Sequence, residues 1–548
     1  MNVVLKASSL ISCAASKMFS ETDFSKNRAE IYCSYMLFGM LTVLLAYFYT
    51  VTVWLHHLDT VFLTESLASI KSKGLPLTSA GQSFGVALQT FTLEAKDLCS
   101  ALLQPLEGEG NVLFGHAYLV LYPLAVFTII FPADVVLSIA TALAFISIVA
   151  LTFVFLRRRQ IPFLPAGVFC ALLILHPAFS HSALGNFYAD RFFVPLALAY
   201  LITFHKIAFS AQAVTKGALS ALLALGIASA STTERGAMMI MAFNISALVF
   251  FWNEIKTRKI MMTLSVFTIV LLLYVITYSW LIRAESAVGS YGSLLNQIPT
   301  FLNRLDNPGH AAGTLEFMKV NVLFFGILSV FNWRYAVIAL IAMLPNILTS
   351  VGGAEKNGWA THYHTMYFPF LIFAAMAGFE ACYRRISRYR YRAVLTVSVA
   401  ALAVVISDTS PAYGKEAGVV TRLYNFYTYD ERSWERAAVD GARRLNERVP
   451  PQTTVTTVDY AMPALYRNRI VYLYPVGIDA ADYAFLRRSQ GVRGEVLYEG
   501  AVSYVGQGQA ADECLTERLR RGGFNVDSPE MFGDMALLKR VRRSDSLR

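Results

Sequence analysis

Asp59, four residues past the apolar run 31–55 in WLHHLDTVFLTESL, is the first side chain in this sequence placed to do chemistry. A run of that length spans a bilayer as a helix, so Asp59 is expected at the membrane surface, open to water and within reach of a lipid-borne substrate. Four more links add ionisable groups where apolar runs stop. His116 opens the segment 112–131; Asp190 and Arg191 share HPAFSHSALGNFYADRF with His176 and His181; Glu234 and Arg235 stand in TTERG; His362, Tyr363 and His364 stand in ATHYHTMYF. Such residues at apolar boundaries are costly unless they pair or face water, which makes them functional candidates. Arg191 and Arg235 suit a phosphate or diphosphate, because a guanidinium can bind it through two parallel hydrogen bonds. Structural readings stand beside these. Asp59 reads equally as a solvated loop acid, Asp190–Arg191 and Glu234–Arg235 as local ion pairs, and His176 and His181 as helix-end polar groups. His362 and His364 are two apart and share a face only on extended chain, so they make a poor metal pair.

The elements that must position these groups follow from composition. Of 548 residues, 55% are hydrophobic and 15% charged, and the mean hydropathy is +0.48, far more apolar sequence than one soluble core uses. An α-helical polytopic membrane protein is expected. The net charge of +10 does not indicate nucleic acid, because Lys and Arg gather between apolar runs, as RRR at 157–159, KTRK at 256–259 and RRISRYRYR at 384–392. Cytoplasmic loops have that distribution. Residues 1–30 read as a cytoplasmic tail, since Lys17, Lys26 and Arg28 interrupt the sequence before the first long run.

Eleven crossings are predicted in a membrane domain 31–407: about 31–55, 135–156, 162–180, 190–206, 216–233, 236–252, 260–282, 317–331, 335–351, 365–383 and 392–407. With the N-terminus inside, the three basic clusters and His205-Lys206 fall on the cytoplasmic side, and an odd count puts the C-terminal region outside. Segment 112–131 would reverse the RRR cluster if it crossed alone. It reads as interfacial or re-entrant, broken at Pro123. An outer loop 56–134 follows the first crossing, and its patches VFLTESLASI and GVALQTFTL suggest amphipathic helices lying on the membrane. A second outer loop, 283–316, is dense in Gly and Pro and reads as irregular, a candidate lid. Of six cysteines, Cys99 and Cys514 are the two this topology leaves free to pair outside.

After Asp408 the composition changes. A charged helical stretch, DERSWERAAVDGARRLNERV, precedes TTVTTV, RIVYLYP, DYAFLR, the helix-like AADECLTERLRR and MALLKR. Strands alternating with helices predict a small extracytoplasmic α/β domain over 408–548. It contains no phosphate-binding glycine loop, and neither a Ser/His/Asp set nor HExxH occurs anywhere in the chain.

The succession of motifs resembles domain of unknown function family 2079, a family of bacterial and archaeal membrane proteins. It comprises an Asp after the first helix, GH before a Pro-broken apolar segment, FYAD, TER after a small-residue helix, HY opening a long apolar run, and the tail YRNRIVYLYP…DYAFL. The chain has Tyr188-Ala189 where Phe-His is expected before Asp190, and Thr233 where Lys is expected before Glu234. The resemblance implies a GT-C-like multi-helix membrane domain in the plasma (inner) membrane, an acidic catalytic residue on the first outer loop at Asp59, supporting positions at His116, Asp190, Glu234, His362 and Tyr363, and a polyprenyl-phosphate sugar as donor. The implied partners are that donor and membrane lipids. No cofactor is implied with certainty; a divalent cation held by carboxylates is the one candidate. The function expected is an inverting glycosyltransferase acting on an extracytoplasmic acceptor. The alternatives are a transporter or flippase of a lipid-linked or small polar substrate, or a non-catalytic membrane protein. A transporter would place its ionisable groups at mid-helix and show hydropathy repeats, and no such repeat is visible.

Overall fold

The computed structural model describes residues 28–51, 58–79, 110–114, 116–179, 188–209, 214–255, 257–278, 280, 308–348, 363–386, 433–458, 461–465, 470–490, 496–499 and 509–541, with parts of 391–399. Its first part is a helical bundle. The helices are α1 (Arg28–Val51), α2 (Leu58–Lys73), α3 (Leu121–Phe127), α4 (Ala133–Arg158), α5 (Phe163–Leu175), α6 (Phe193–Ala208), α7 (Lys216–Ala230), α8 (Glu234–Phe250), α9 (Arg258–Thr277), α10 (Pro308–Asn321), α11 (Trp333–Leu348) and α12 (Phe368–Arg385). Among the described residues, five helical stretches are long and apolar enough to cross a bilayer, among them Ala133–Arg158 with 26 residues, while Phe163–Leu175 and Lys216–Ala230 are shorter and apolar. Helix α3 has seven residues, about 10 Å at 1.5 Å per residue, and cannot cross a core of about 30 Å. Segment 112–131 is therefore not one spanning helix, although Pro123 lies in the first turn of α3 and not at a break.

Contacts at the helix termini define two ends. At the first, Arg157 holds Glu30 through hydrogen bonds of 2.6 and 2.8 Å, and Arg159 and Arg384 share Glu380 at 3.5 and 3.1 Å. His205 there meets the Tyr335 hydroxyl at 2.9 Å, and Arg334 pairs with Glu254. At the opposite end, the Val120 N–H donates to the Ser231 carbonyl, the Tyr278 hydroxyl donates to the Leu113 carbonyl at 2.8 Å, and the rings of Phe317 and Tyr367 meet edge to face. Successive helices therefore alternate in direction. We call these the basic end and the carboxylate end.

Residues 313–347 form a helical run of 35 residues, which would be about 52 Å long if straight. It folds back instead. Phe317 lies against Tyr367 and the Leu328 carbonyl against Gly378, so α10 and its π-helical extension Val322–Gly326 descend alongside α12. Tyr335 packs on Phe373, and Ile338 and Ala342 border the same small space as Phe370, so α11 ascends. The reversal falls at the 3-10 turn Val330–Asn332, between the two crossings predicted at 317–331 and 335–351. Gly378 permits the close approach: a Cβ there would lie 1.9 Å from the Leu328 carbonyl oxygen. Between apolar helices in lipid, attraction comes from such close packing and from polar pairs like the Tyr200 hydroxyl on Asn244 Oδ1 at 2.6 Å.

The C-terminal part has its own core and a six-stranded sheet of order β4-β3-β5-β8-β7, with β6 also paired to β5. The strands are β3 (Thr454–Thr457), β4 (Ile470–Leu473), β5 (Tyr483–Gln490), β6 (Val496–Glu499), β7 (Glu530–Phe532) and β8 (Met535–Lys539); helices α13 (Ser433–Arg448) and α14 (Gln509–Arg521) accompany them. Strand β3 runs parallel to β4 and β5, and the remaining pairings are antiparallel. Cys514 on α14 is disulfide-bonded, whereas Cys33, Cys170 and Cys382 are free thiols. Cys99, its expected partner, lies outside the described residues.

Two expectations for the outer loops are corrected. VFLTESLASI is a helix, α2, but it does not lie on a membrane surface with its polar side in water. Thr60, Thr64, Glu65 and Ser66 are all buried, because α2 is enclosed between the C-terminal core, which Val61 joins, and α3 and α4, which Leu63 and Leu67 meet. The second loop is also shorter than 283–316, since Pro308 begins α10; proline suits a first helical turn, where its missing N–H costs nothing. GVALQTFTL of the first loop and residues 283–307 of the second lie outside the described residues.

Candidate active site

Glu234 is the first residue of α8, where the helix dipole favours a carboxylate, and it is buried. Its Oε1 lies 3.0 Å from His116 Nδ1, and its Oε2 accepts from the Ala117 N–H at 3.1 Å and the Thr233 hydroxyl at 3.0 Å. A carboxylate only accepts, so Nδ1 carries the proton and the acceptor nitrogen of the neutral ring is Nε2. The His116 ring packs against the Tyr118 ring, 5.2 Å between centroids and tilted by 39°. Its position depends on the short antiparallel pair β1 (Leu77–Thr78) and β2 (Gly110–Asn111), because Val112, next in the chain, bonds back to the Pro76 carbonyl.

A second group forms beside the 3-10 turn Ala189–Phe192, which leads directly into α6. Asp190 and Arg191 are both buried there. The Arg191 guanidinium sits 5.2 Å from the Tyr188 ring centroid and 5.9 Å from that of Phe145, faces that attract a cation. His364, on the 3-10 turn Tyr363–Met366, is buried and lines a small cleft with Arg191, Phe145, Phe179, Thr365 and Phe368. Pro369, in the first turn of α12, fixes where that turn gives way to helix.

The predicted positions thus form two groups, His116 with Glu234 and Arg191 with His364, all at the carboxylate end. Asp190 is next to Arg191 in the second. Arg235 follows Glu234 and is half-buried. Asp59 lies in the first turn of α2, a new helix rather than the tail of the first span; its side chain lies outside the described residues, as do those of His362, Tyr363 and His181. His176 is a packing residue: Nδ1 accepts from the Ala178 N–H at 3.1 Å, and the ring stacks on Phe325 at 5.1 Å and 8°. Sequence reasoning missed Tyr274, in the apolar run of α9, whose hydroxyl is buried and within electrostatic reach of Glu234. Nothing in an all-apolar context marks such a tyrosine. Among the described residues no three His, Cys, Asp or Glu side chains gather as a metal-binding group.

Apolar helices running between two ionisable ends define a polytopic membrane protein. The chain belongs to the family described as predicted membrane protein (DUF2079), whose model matches residues 75–492. No curated protein matches it. Among solved structures it is similar to ArnT from Cupriavidus metallidurans bound to undecaprenyl phosphate, at 12% identity and a TM-score of 0.47 over 93% of this chain and 98% of that one. It is also similar to the archaeal oligosaccharyltransferase AglB from Archaeoglobus fulgidus in complex with an inhibitory peptide and a dolichol-phosphate, at 12% identity and a TM-score of 0.36 over 81% and 74%.

Proposed function

We propose that this protein is an integral-membrane glycosyltransferase that moves a sugar from a polyprenyl-phosphate carrier to an acceptor outside the plasma membrane. The observation that carries the reading is the gathering, at one end of an apolar bundle, of a guanidinium and an imidazole on one cleft, a hydrogen-bonded carboxylate–imidazole pair, and the helix that bears Asp59. In the reaction the acceptor oxygen attacks the anomeric carbon as Asp59 takes its proton, and the bond from that carbon to the phosphate oxygen breaks. The lipid phosphate leaves with the electron pair. Inversion follows from a single displacement. Arg191 and Arg235 would neutralise the departing phosphate, a service that a divalent cation can also perform.

Eleven crossings with the C-terminal sheet outside complete the proposal. The basic end carries the three arginine and lysine clusters, which favours the cytoplasm, and the disulfide at Cys514 suits an oxidising side. Labelling from outside the cell should modify a cysteine placed at the exposed Ser528 and spare one at Ser387. The reverse pattern overturns the topology. For the activity, lipid-linked and surface glycans of cells with and without the protein are compared. Loss of one sugar with accumulation of its polyprenyl-phosphate carrier is expected, and unchanged glycans with unchanged carriers would exclude the transferase.

A further inference from the structure

Glu65 is buried and has no part in the chemistry proposed above. It lies on α2, six residues after Asp59. Its Oε2 accepts from the Thr78 hydroxyl at 2.5 Å and its Oε1 from the Ser79 hydroxyl at 3.0 Å. Ser79 in turn accepts from the Val471 N–H at 3.2 Å, with the Val471 carbonyl at the same distance. Val471 belongs to β4, the edge strand of the C-terminal sheet. Thr78 is in β1, paired with Gly110 of β2, from which the chain runs to His116. One carboxylate therefore ties together three parts: the helix of Asp59, the arm that brings His116 to Glu234 and, through Ser79, the edge of the C-terminal sheet 392 residues further on. Val61, one turn before Glu65, is in the core of that sheet.

We propose that Glu65 is a positioning residue, and that the C-terminal sheet acts through it to hold Asp59 and His116 in register for transfer. A surface carboxylate would not need two hydroxyl donors, and a purely structural knot would not need to join the two arms that carry the acid and the imidazole. Hydrogen bonds to a charged group are the stronger kind, so the knot resists the small displacements that a reacting geometry does not tolerate. The proposal rests on the reading of Asp59 as the base. Its test is chosen so that the two can fail separately.

Glu65→Gln keeps the size but removes the charge and replaces one accepting oxygen with an amide donor; Ser79→Ala keeps the carboxylate and removes the bridge to Val471 together with the Ser79 donor to Glu65. Hydrogen exchange is measured on the full chain in detergent, with transfer kinetics on a polyprenyl-phosphate sugar alongside. For Glu65→Gln, exchange is expected to rise about tenfold in 58–73 and in 470–473 together, with α6, α8 and α12 unchanged. The turnover number should fall about tenfold while KM stays within a factor of two, because ground-state binding is untouched. Ser79→Ala should loosen 470–473 and reproduce part of the loss, and Ser79→Thr should restore it. Exchange that rises in 58–73 alone, or turnover that is unchanged in a loosened protein, overturns the proposal. Should the wild type show no transfer, the glycosyltransferase reading fails, and concerted or separate loosening of the two segments still decides whether Glu65 joins them.

Discussion

The two ends of the bundle hold their carboxylates differently. At the basic end Glu30, Glu254 and Glu380 are each held by arginine, Glu30 by a guanidinium that is 1% exposed and also donates to the Ile161 carbonyl at 2.6 Å. At the carboxylate end Glu234 is held by an imidazole, a hydroxyl and a backbone N–H, while Arg191 rests on two aromatic faces beside a cleft. Arginine on a carboxylate pairs the donors of one with the acceptors of the other and neutralises both charges, which closes a helix junction. An imidazole that gives Nδ1 to a carboxylate keeps Nε2 as an acceptor for something else. Similar residue types thus serve closure at one end and availability at the other.

The comparison is broken most directly by Asp59. Asp59→Asn should lower transfer by about 10²–10⁴-fold, since the amide keeps the size but cannot take a proton at neutral pH. Folding should be intact, read as unchanged thermal unfolding and membrane insertion. If the variant keeps near-normal turnover while Glu234→Gln or Asp190→Asn abolishes it, Asp59 is a loop acid and the base is on another link.

Next in size are the held groups at the same end. Glu234→Gln and His116→Ala should each cost about 10–100-fold in turnover, and Arg191→Ala should raise KM for the donor more than it lowers turnover, as expected for a group that binds phosphate in ground and transition states alike. Steady-state kinetics on a defined polyprenyl-phosphate sugar separates these. Equal losses in turnover from all three, with KM unmoved, would remove the assignment of Arg191 to the phosphate.

How much of this was legible in the sequence differs between the same regions. The basic clusters were legible as one end of the bundle, where Arg157, Arg159 and Arg384 are found, because lysine and arginine gather between apolar runs, and the helical hairpin around Asn332 followed from two apolar runs too long for one crossing. In the C-terminal part, TTVTTV, RIVYLYP, DYAFLR and MALLKR gave β3, β4, β5 and β8. Strands β6 and β7 were missed: VLYE is four residues long between Glu495 and Gly500, and EMF is three residues long, so neither shows a period. Glu65 was invisible for a different reason. Its partners are 13 and 14 residues away, and the strand it steadies lies 392 residues beyond Ser79. No local pattern encodes such a meeting.

At the basic end the expected effects are on stability. Arg157→Ala would strip Glu30 of both hydrogen bonds and leave the Ile161 carbonyl without its guanidinium donor. Breaking a buried pair by removing one partner costs about 3–5 kcal/mol, so a marked fall in the unfolding temperature is expected, with turnover per folded molecule unchanged. Kinetics that fall in step with correctly folded protein support the division between the ends. A turnover defect in the folded fraction would show that the basic end reaches the chemistry.

The smallest effect is expected at Arg334 and Glu254, the most exposed of the basic-end pairs, with side chains 32% and 39% exposed. Their attraction is screened by water, and holding two long side chains in one geometry costs entropy, so such a pair contributes about 0–1 kcal/mol. The Arg334 guanidinium also lies over the rings of Phe251 and Trp333, at 5.6 and 5.5 Å, and those faces attract the cation whether or not the carboxylate is there. Glu254→Gln should therefore shift the unfolding temperature little, and Arg334→Ala somewhat more, because it loses the ring contacts as well as the pair. Neither should alter turnover. Unfolding temperatures of the two single variants and the double variant decide it: a double variant whose loss equals the sum of the two singles leaves the ion pair with a negligible share, whereas a coupling as large as that of Arg157 with Glu30 would mean that exposure does not rank the closures at this end.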